Sequence, residues 1–162
     1  MARAHEANAL VIVNDRADIA RLSGADGVHV GQDDLAPAAV RQIVDGGAGP
    51  RDHDALVGLS THAPEQLEAA LHLPVSYIAI GPVFSTDTKT TGYTGLGLEA
   101  VRRAAARTGE RGVPLVAIGG VTLETAPEVI RAGAGTVAVI SDLVAAGDPA
   151  ARVRAYLARL TV

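Results

Sequence analysis

Residues 9–34, ALVIVNDRADIARLSGADGVHVGQDD, contain the pattern that decides the fold. Two short apolar runs, Ala9–Val13 and Gly27–Val30, are rich in Val and Ile, and a helix pattern, Asp18–Ser23, lies between them. Near-continuous apolar runs of this length are typical of parallel strands that are buried on both faces. Gly24 follows the helix pattern directly, at the position of a left-handed helix cap. The stretch therefore predicts a strand, a helix and a second parallel strand.

The same alternation continues to the end of the chain. Further strands are predicted at Leu56–Leu59, Tyr77–Ile80, Leu115–Ile118 and Val137–Ile140. Further helices are predicted at Pro37–Val44, Pro64–His72, Leu98–Thr108, Ala126–Ala132 and Pro149–Leu160. Six strand–helix units in this order predict an α/β fold with a parallel sheet. No linker interrupts the pattern, so we expect residues 1–162 to form a single domain.

Composition narrows the classes of function. The 162 residues are 48% hydrophobic but only 2% aromatic, which predicts an aliphatic core. A net charge of -4 argues against non-specific nucleic-acid binding, and the absence of cysteine excludes disulfides and thiolate metal sites. No signal-peptide pattern or membrane-length apolar run is present. We therefore expect a cytoplasmic protein with no nucleic-acid partner and no membrane.

Polar residues follow every predicted strand. The clusters are Asn14–Arg16, Gln32–Asp34, Ser60–His62, Thr86–Lys89, Gly119–Gly120 and Ser141–Asp142. In a barrel of strand–helix units, the loops after the strands form the active face. Six clusters at the same end of six strands therefore predict a site spread around a barrel mouth.

Asp15 and Asp34 are the candidate metal ligands. Neighbouring parallel strands lie about 4.8 Å apart, so carboxylates that follow adjacent strands can converge on one cation. Two carboxylates that leave positions for water and phosphate oxygens suit Mg²⁺. The alternative is that each aspartate caps the helix that follows it.

Three other segments are candidates for binding an anion. The loop Ser85–Gly97 combines hydroxyls, backbone amides and the ammonium of Lys89, although a solvated polar loop is the alternative. Gly119–Gly120 lets backbone amides approach a ligand, or forms only a tight turn. Ile140 and Ser141 end the last strand, where barrels often bind phosphate.

His29 and His62 also lie near strand ends, but a lone histidine is more often structural. No serine, histidine and acid triad is evident in the sequence.

Taken together, six segments resemble the thiamine phosphate synthase family. They are VIVNDRADIA, GADGVHVGQDDL, VGLSTHAPEQ, YIAIGPVFSTDTKTTGY, PLVAIGGVT and GAGTVAVISDL, in this order. The family joins a hydroxymethylpyrimidine diphosphate to a thiazole phosphate and releases pyrophosphate. The resemblance implies a TIM barrel, Mg²⁺ as cofactor and a dissociative reaction, in which the thiazole nitrogen traps a pyrimidine methylene cation.

The resemblance also assigns roles to residues of this chain. Asn14 is similar to the asparagine that meets the pyrimidine, and Asp15 and Asp34 to the two magnesium ligands. Ser60 and Lys89 are similar to the catalytic residues on the pyrophosphate side. The implied contacts to the thiazole phosphate are Thr86, Asp87, Thr88, Gly120, Ile140 and Ser141.

The sequence departs from the family at its start. Two strand–helix units that the family has before Asn14 have no counterpart here, and residues 3–8 are similar to the end of a helix. We therefore expect an incomplete (β/α)8 barrel of six units that lacks the first two, completed by an earlier start, by a partner chain or homo-oligomer, or not at all. A thiazole tautomerase-like protein that uses His62, and a non-catalytic phosphate-binding fragment, are the alternative functions.

Overall fold

The computed structural model describes residues 1–45, 54–85 and 94–160. Its strands are β1 (Ile12–Asn14), β2 (Gly27–Val30), β3 (Leu56–Thr61), β4 (Tyr77–Ile80), β5 (Leu115–Ile118) and β6 (Thr136–Ala138). All neighbouring pairs are parallel, and the order in the sheet is β1-β2-β3-β4-β5-β6. The prediction of six parallel strands is confirmed.

Helices connect the strands. They are α1 (Ala2–Glu6), α2 (Ala17–Ser23), α3 (Pro37–Val44), α4 (Pro64–Ala70), α5 (Gly97–Glu110), α6 (Ala126–Arg131), α7 (Ser141–Ala145) and α8 (Pro149–Leu160). Because each strand pairs with the next one in the chain and crossovers between parallel strands are right-handed, the connecting helices lie on one face of the sheet. This arrangement is that of a partial TIM-like α/β barrel.

The two faces of the sheet differ in burial. Val28, Val57 and Ile78 are fully buried, because their side chains point to the face that the helices cover. Residues of the opposite parity, such as His29 and Tyr77, are only half-buried. We call this second face, which points away from the helices, the inner face. The covered face forms an aliphatic core, as the composition predicts.

The limits of three strands differ from the prediction, and β3 continues to Thr61 rather than ending at Leu59. β1 begins at Ile12 rather than Ala9, because Ala9 hydrogen-bonds back to Ala4 and the Val11 amide donates to the Asp26 carboxylate. β6 ends at Ala138, because the Ile140 carbonyl already accepts bonds from the first turn of α7. The sequence pattern did not predict α7.

Arg41 of α3 links the ends of two strands opposite the mouth. Its guanidinium donates to the carbonyls of Pro74 and Ala55 and to the Ser76 hydroxyl, at 3.0, 2.5 and 2.8 Å. These residues precede β4 and β3, so Arg41 fastens a helix to the amino-terminal edge of the sheet.

Of the helices that the structure describes, none is long and apolar enough to cross a bilayer.

Candidate active site at the mouth of the sheet

Parallel strands bring the predicted polar residues to a single edge of the sheet. Asn14 is the last residue of β1, Ser60 lies near the end of β3, and Gly120 follows β5 by two positions. Ser141 is the first residue of α7, after β6. The segment that carries Thr86, Asp87, Thr88 and Lys89 lies outside the described residues.

Ser60 belongs to a hydrogen-bonded cluster on the inner face. Its hydroxyl oxygen lies 2.8 Å from His29 Nε2, and His29 Nδ1 lies 3.0 Å from the Tyr77 hydroxyl. The two rings are stacked, with centroids 5.5 Å apart and planes inclined by 21°. Burial raises the pKa of the Tyr77 hydroxyl, which therefore keeps its proton at neutral pH. The cluster connects β2, β3 and β4 through side chains as well as through the backbone.

Gly58 makes this cluster possible. In the register of the sheet, His29 of β2 pairs with Gly58 of β3, and Gly58 pairs with Tyr77 of β4. A Cβ atom at Gly58 would lie 2.1 Å from Tyr77 Cζ and 2.5 Å from His29 Nδ1. Because Gly58 has no side chain, it leaves a space above β3, and the side chains of His29 and Tyr77 meet in that space.

Asp15 follows β1 at the mouth, with an unusual backbone conformation. Its φ angle is +61°, a region that non-glycine residues rarely adopt, and its amide donates to the His29 carbonyl at 2.8 Å. This bond extends the pairing of β1 with β2 by one residue, so the loop after β1 begins at Asp15.

Asp34 lies in the loop after β2 and is held by that loop. Its Oδ2 accepts a hydrogen bond of 2.7 Å from the Gly31 amide. The alternative that Asp15 and Asp34 are helix caps does not hold, since the N-cap positions of α2 and α3 are occupied by Arg16 and Ala36. The two carboxylates thus belong to mouth loops after neighbouring strands.

The donor set at this edge suits a hard cation that keeps water or phosphate ligands. Within residues 1–45, 54–85 and 94–160, no group of three or more His, Cys, Asp or Glu side chains is close enough to enclose a metal ion. A metal ion at this edge would need further ligands besides the two carboxylates, such as water or the oxygens of a bound molecule. Mg²⁺ is commonly bound in this manner, through one or two carboxylates plus substrate phosphates.

The loops after β4 and β5 pack tightly against each other. The amides of Val83 and Phe84 donate to the carbonyls of Ile118 and Gly119. Gly120 has a φ angle of +64°, and a Cβ atom there would lie 2.7 Å from the Ser85 carbonyl oxygen. Glycine is required at this position for both reasons. Ser85 therefore lies directly beside Gly120.

Ile140 and Ser141 lie where β6 passes into α7, and Ile140 is 53% exposed. The residue after them has a structural role that the sequence did not reveal. Asp142 accepts bonds from Arg152 and Tyr156 of α8 and from the Leu123 amide. Hydrogen bonding from Arg152 is the main reason that the pKa of Asp142 is lowered.

His62 is oriented by two contacts. Its Nδ1 lies 2.5 Å from the Gly81 carbonyl oxygen, and its backbone amide donates to Gln66 Oε1 at 2.7 Å. Since a carbonyl only accepts, Nδ1 carries the proton in this arrangement.

Sequence reasoning missed Tyr77 and Gly58 as parts of the site, and it placed Gln32 in a polar cluster without its hydrogen-bond partner. Tyr77 begins a strand and Gly58 lies inside one, so neither belongs to a polar cluster after a strand. Gln32 Nε2 donates to the Ser60 carbonyl at 2.6 Å. Only the register of the strands could have connected Gly58 with the two rings beside it.

Comparison with known proteins identifies one family. A family model described as thiamine monophosphate synthase matches residues 1–143. Proteins named thiamine-phosphate synthase are 46% identical in Koribacter versatilis, over 91% of this chain and 64% of that protein, and 44% identical in Acidothermus cellulolyticus, over 94% and 68%. The relative from Synechococcus sp. is 44% identical over 97% of this chain and 41% of its own length. The chain thus spans 41% to 68% of the lengths of these relatives.

Solved structures agree with the family match. Thiamine phosphate pyrophosphorylase from Pyrococcus furiosus superposes with a TM-score of 0.80 at 28% identity, over 97% of this chain and 72% of that one. A 3-hexulose-6-phosphate synthase has a TM-score of 0.69 at 23% identity, over 98% and 77%, which reflects a shared fold.

Proposed function

Because this chain belongs to the thiamine monophosphate synthase family, we propose that it provides the mouth of a thiamine phosphate synthase. The reaction joins a hydroxymethylpyrimidine diphosphate to a thiazole phosphate and releases pyrophosphate. The observation that carries this proposal is the family match over residues 1–143, which includes β1 to β6 and every mouth loop between them. A cytoplasmic location is part of the proposal.

We assign the pyrophosphate to the side of the mouth formed by the loops after β1, β2 and β3. Ser60 donates a hydrogen bond to it, Lys89 neutralises its charge, and Asn14 binds the pyrimidine. The support for Ser60 is its hydroxyl on the inner face, held between two strands by His29. The pyrophosphate departs with the bonding electrons, so the protein's task is to stabilise that developing charge.

We assign Mg²⁺ to Asp15 and Asp34. When bound there, the ion would neutralise charge on the departing pyrophosphate. The support is the placement of the two aspartates in the loops after β1 and β2, together with a donor set that consists of oxygens.

We assign the thiazole phosphate to the loops after β4, β5 and β6. Its contacts would be Thr86, Asp87, Thr88, Gly120, Ile140 and Ser141. The support is the packing of Gly120 against Ser85, directly before Thr86. Holding the thiazole in line with the pyrimidine methylene carbon supplies the positioning part of the rate enhancement.

We further propose that two more strand–helix units, from the same polypeptide or from a partner chain, complete the barrel before activity appears. The three relatives are each longer than the part that this chain matches. Among the described strands, β1 and β6 are at the ends of the sheet and each has a single neighbour.

Reconstitution tests this proposal. The 162-residue chain and a fusion that carries two preceding units from the Acidothermus cellulolyticus relative are assayed for thiamine phosphate formation. The resemblance implies that the family's preceding units carry a basic motif that binds the pyrophosphate. We expect turnover from the fusion, and at least about a hundredfold less from the chain alone, because loss of one preorganised donor already costs that much. A fusion that folds but forms no thiamine phosphate would contradict the assignment, and full turnover by the chain alone would show that further units are dispensable.

Calorimetry with the fusion tests the metal assignment separately. We expect Mg²⁺ to bind at least about tenfold more tightly when inorganic pyrophosphate is present, and Asp34→Ala to abolish this difference. Asp33→Ala is the matched control, because it removes the neighbouring exposed carboxylate. If Asp33→Ala and Asp34→Ala had equal effects on Mg²⁺ binding, the assignment of Asp34 as a metal ligand would be wrong.

A further inference from the structure

The inner-face cluster of His29, Ser60, Tyr77 and Gly58 carries one inference beyond the proposed function. We propose that His29 is a positioning residue for Ser60, with a hydrogen-bond direction that runs from Tyr77 through the imidazole to the serine. In this direction the serine proton points outward, to an anionic oxygen at the mouth. The inference rests on the proposed role of Ser60 at the pyrophosphate.

Two directions are compatible with the distances. In the outward direction, the Tyr77 hydroxyl donates to Nδ1, Nε2–H donates to Ser60 Oγ, and the serine proton is left for a ligand. In the reverse direction, Ser60 donates to Nε2, Nδ1–H donates to Tyr77, and the serine presents only lone pairs. A neutral imidazole has one donor and one acceptor, so the choice of tautomer decides both bonds together.

Chemistry favours the outward direction. A phenol is a more acidic hydroxyl than an alcohol, and it is therefore the stronger donor, so Tyr77 donates and Ser60 accepts. The phenol is protonated at neutral pH and therefore has a proton to donate to Nδ1; burial raises its pKa further. An anion at the mouth adds to this preference, because the lone pairs that the reverse direction presents would repel it.

The sheet holds the cluster in place. His29 and Tyr77 come from strands separated by β3, about 10 Å apart in the sheet. They reach each other only because Gly58 leaves the intervening position empty, and stacking of the two rings restricts the imidazole. A hydrogen-bonded side chain with so little freedom is suited to orienting a neighbour rather than to moving a proton.

Nitrogen-15 NMR of the histidine ring tests the direction in the chain itself. At about pH 8, above the ordinary histidine pKa of about 6.5, we expect His29 to be the Nε2–H tautomer. Tyr77→Phe removes the donor to Nδ1, and we expect a measurable increase in the Nδ1–H tautomer. A wild-type ring that is mainly Nδ1–H would overturn the inference, whatever the chain binds.

Binding of inorganic pyrophosphate with Mg²⁺ to the reconstituted fusion tests the effect on Ser60. We expect Ser60→Ala and His29→Leu each to weaken binding about tenfold or more, and the double variant to be no weaker than Ser60→Ala. His29→Gln, which offers an N–H to the serine, should recover affinity to within about threefold of wild type. Losses from the two sites that add in the double variant would show that His29 acts independently of Ser60, and would overturn the inference.

The two proposals fail in different ways. If wild-type fusion has the Nε2–H tautomer but binds no pyrophosphate, the assignment of Ser60 to the pyrophosphate is wrong while the hydrogen-bond direction stands. Circular dichroism of each variant identifies any that do not fold, and for these the ring tautomer in wild type and Tyr77→Phe decides the inference.

Discussion

Replacing Asp142 with alanine should destabilise the carboxyl-terminal part of the fold. The carboxylate accepts two bonds of 2.9 Å from the Arg152 guanidinium, one of 2.6 Å from the Tyr156 hydroxyl and one of 3.3 Å from the Leu123 amide. It therefore connects α7 with α8 and with the loop after β5. The substitution removes this shared acceptor from all of these donors, although Arg152 keeps a contact of 3.4 Å to Glu124.

The magnitude follows from the burial of this carboxylate. The Asp142 side chain is 16% exposed, so water replaces only part of what the substitution removes. A hydrogen bond to a charged group contributes about 1.5–3 kcal/mol, and breaking a fully buried ion pair costs about 3–5 kcal/mol. Because Asp142 is partly buried and its bonds are not additive, we expect a loss of about 2–4 kcal/mol in the free energy of unfolding.

Asp18→Ala is the matched control. Asp18 accepts the same kind of two-pronged contact from Arg16, and this contact lowers the pKa of Asp18 to about 2. Its side chain is 54% exposed, however, and solvent screens the pair. In urea denaturation followed by circular dichroism, we expect Asp18→Ala to be indistinguishable from wild type. Equal stabilities of the two variants would refute the argument that burial gives the Asp142 contact its strength.

Three further predictions concern stability. Because the folded-state pKa of Asp142 is lowered, its stabilisation is present above about pH 4 and is lost as pH falls through the folded pKa, so the stability difference between wild type and Asp142→Asn should shrink below about pH 4 in acid titrations. Gly27→Ala places a Cβ atom 2.3 Å from the Leu56 carbonyl oxygen and should cost about 1–3 kcal/mol in urea denaturation, whereas Gly109→Ala, with open space in α5, should stabilise by about 0.5–1 kcal/mol. Arg41→Leu keeps an apolar side chain but removes the guanidinium donor from the carbonyls of Pro74 and Ala55, while the Ser76 hydroxyl still accepts from the Val57 amide. The substitution should lower the thermal midpoint by several degrees in a melting experiment, and no change would show that water replaces these bonds.

The sequence predicted the positions of most strands because near-continuous apolar runs persist where one face of the sheet is fully buried and the inner face is half-buried. Gly27–Val30, Tyr77–Ile80 and Leu115–Ile118 have the predicted limits. The limits were wrong where a side chain replaced the regular pairing, as Asp26 does for Val11. A pattern of apolar residues does not reveal such bonds between a side chain and the backbone.

The site was predictable only in part. Residue types after strands located the mouth, because parallel strands end together. The contacts between strands depend on register, which is why the space above Gly58, and therefore the pairing of His29 with Tyr77, could not be predicted. For Asp142 the error is the opposite one. The sequence placed this acidic residue in a mouth cluster, but in the structure its carboxylate holds α8 through Arg152 and Tyr156. The roles of all the site residues remain predictions, and Lys89 and its neighbours also lie outside the described residues.

The strand order has a consequence for how such a chain can be built. Every strand pairs with its immediate neighbours in the chain, so each strand–helix unit attaches to the one before it, as in a repeat protein. Units can in principle be added beside β1 or β6 without disturbing the pairing of β2 to β5. The sheet is modular along the chain, whereas the mouth is not, because the Ser60 hydroxyl of one unit is hydrogen-bonded to His29 of the unit before it. Exchange of whole units between relatives should therefore preserve folding more readily than it preserves the side-chain contacts between neighbouring units at the mouth.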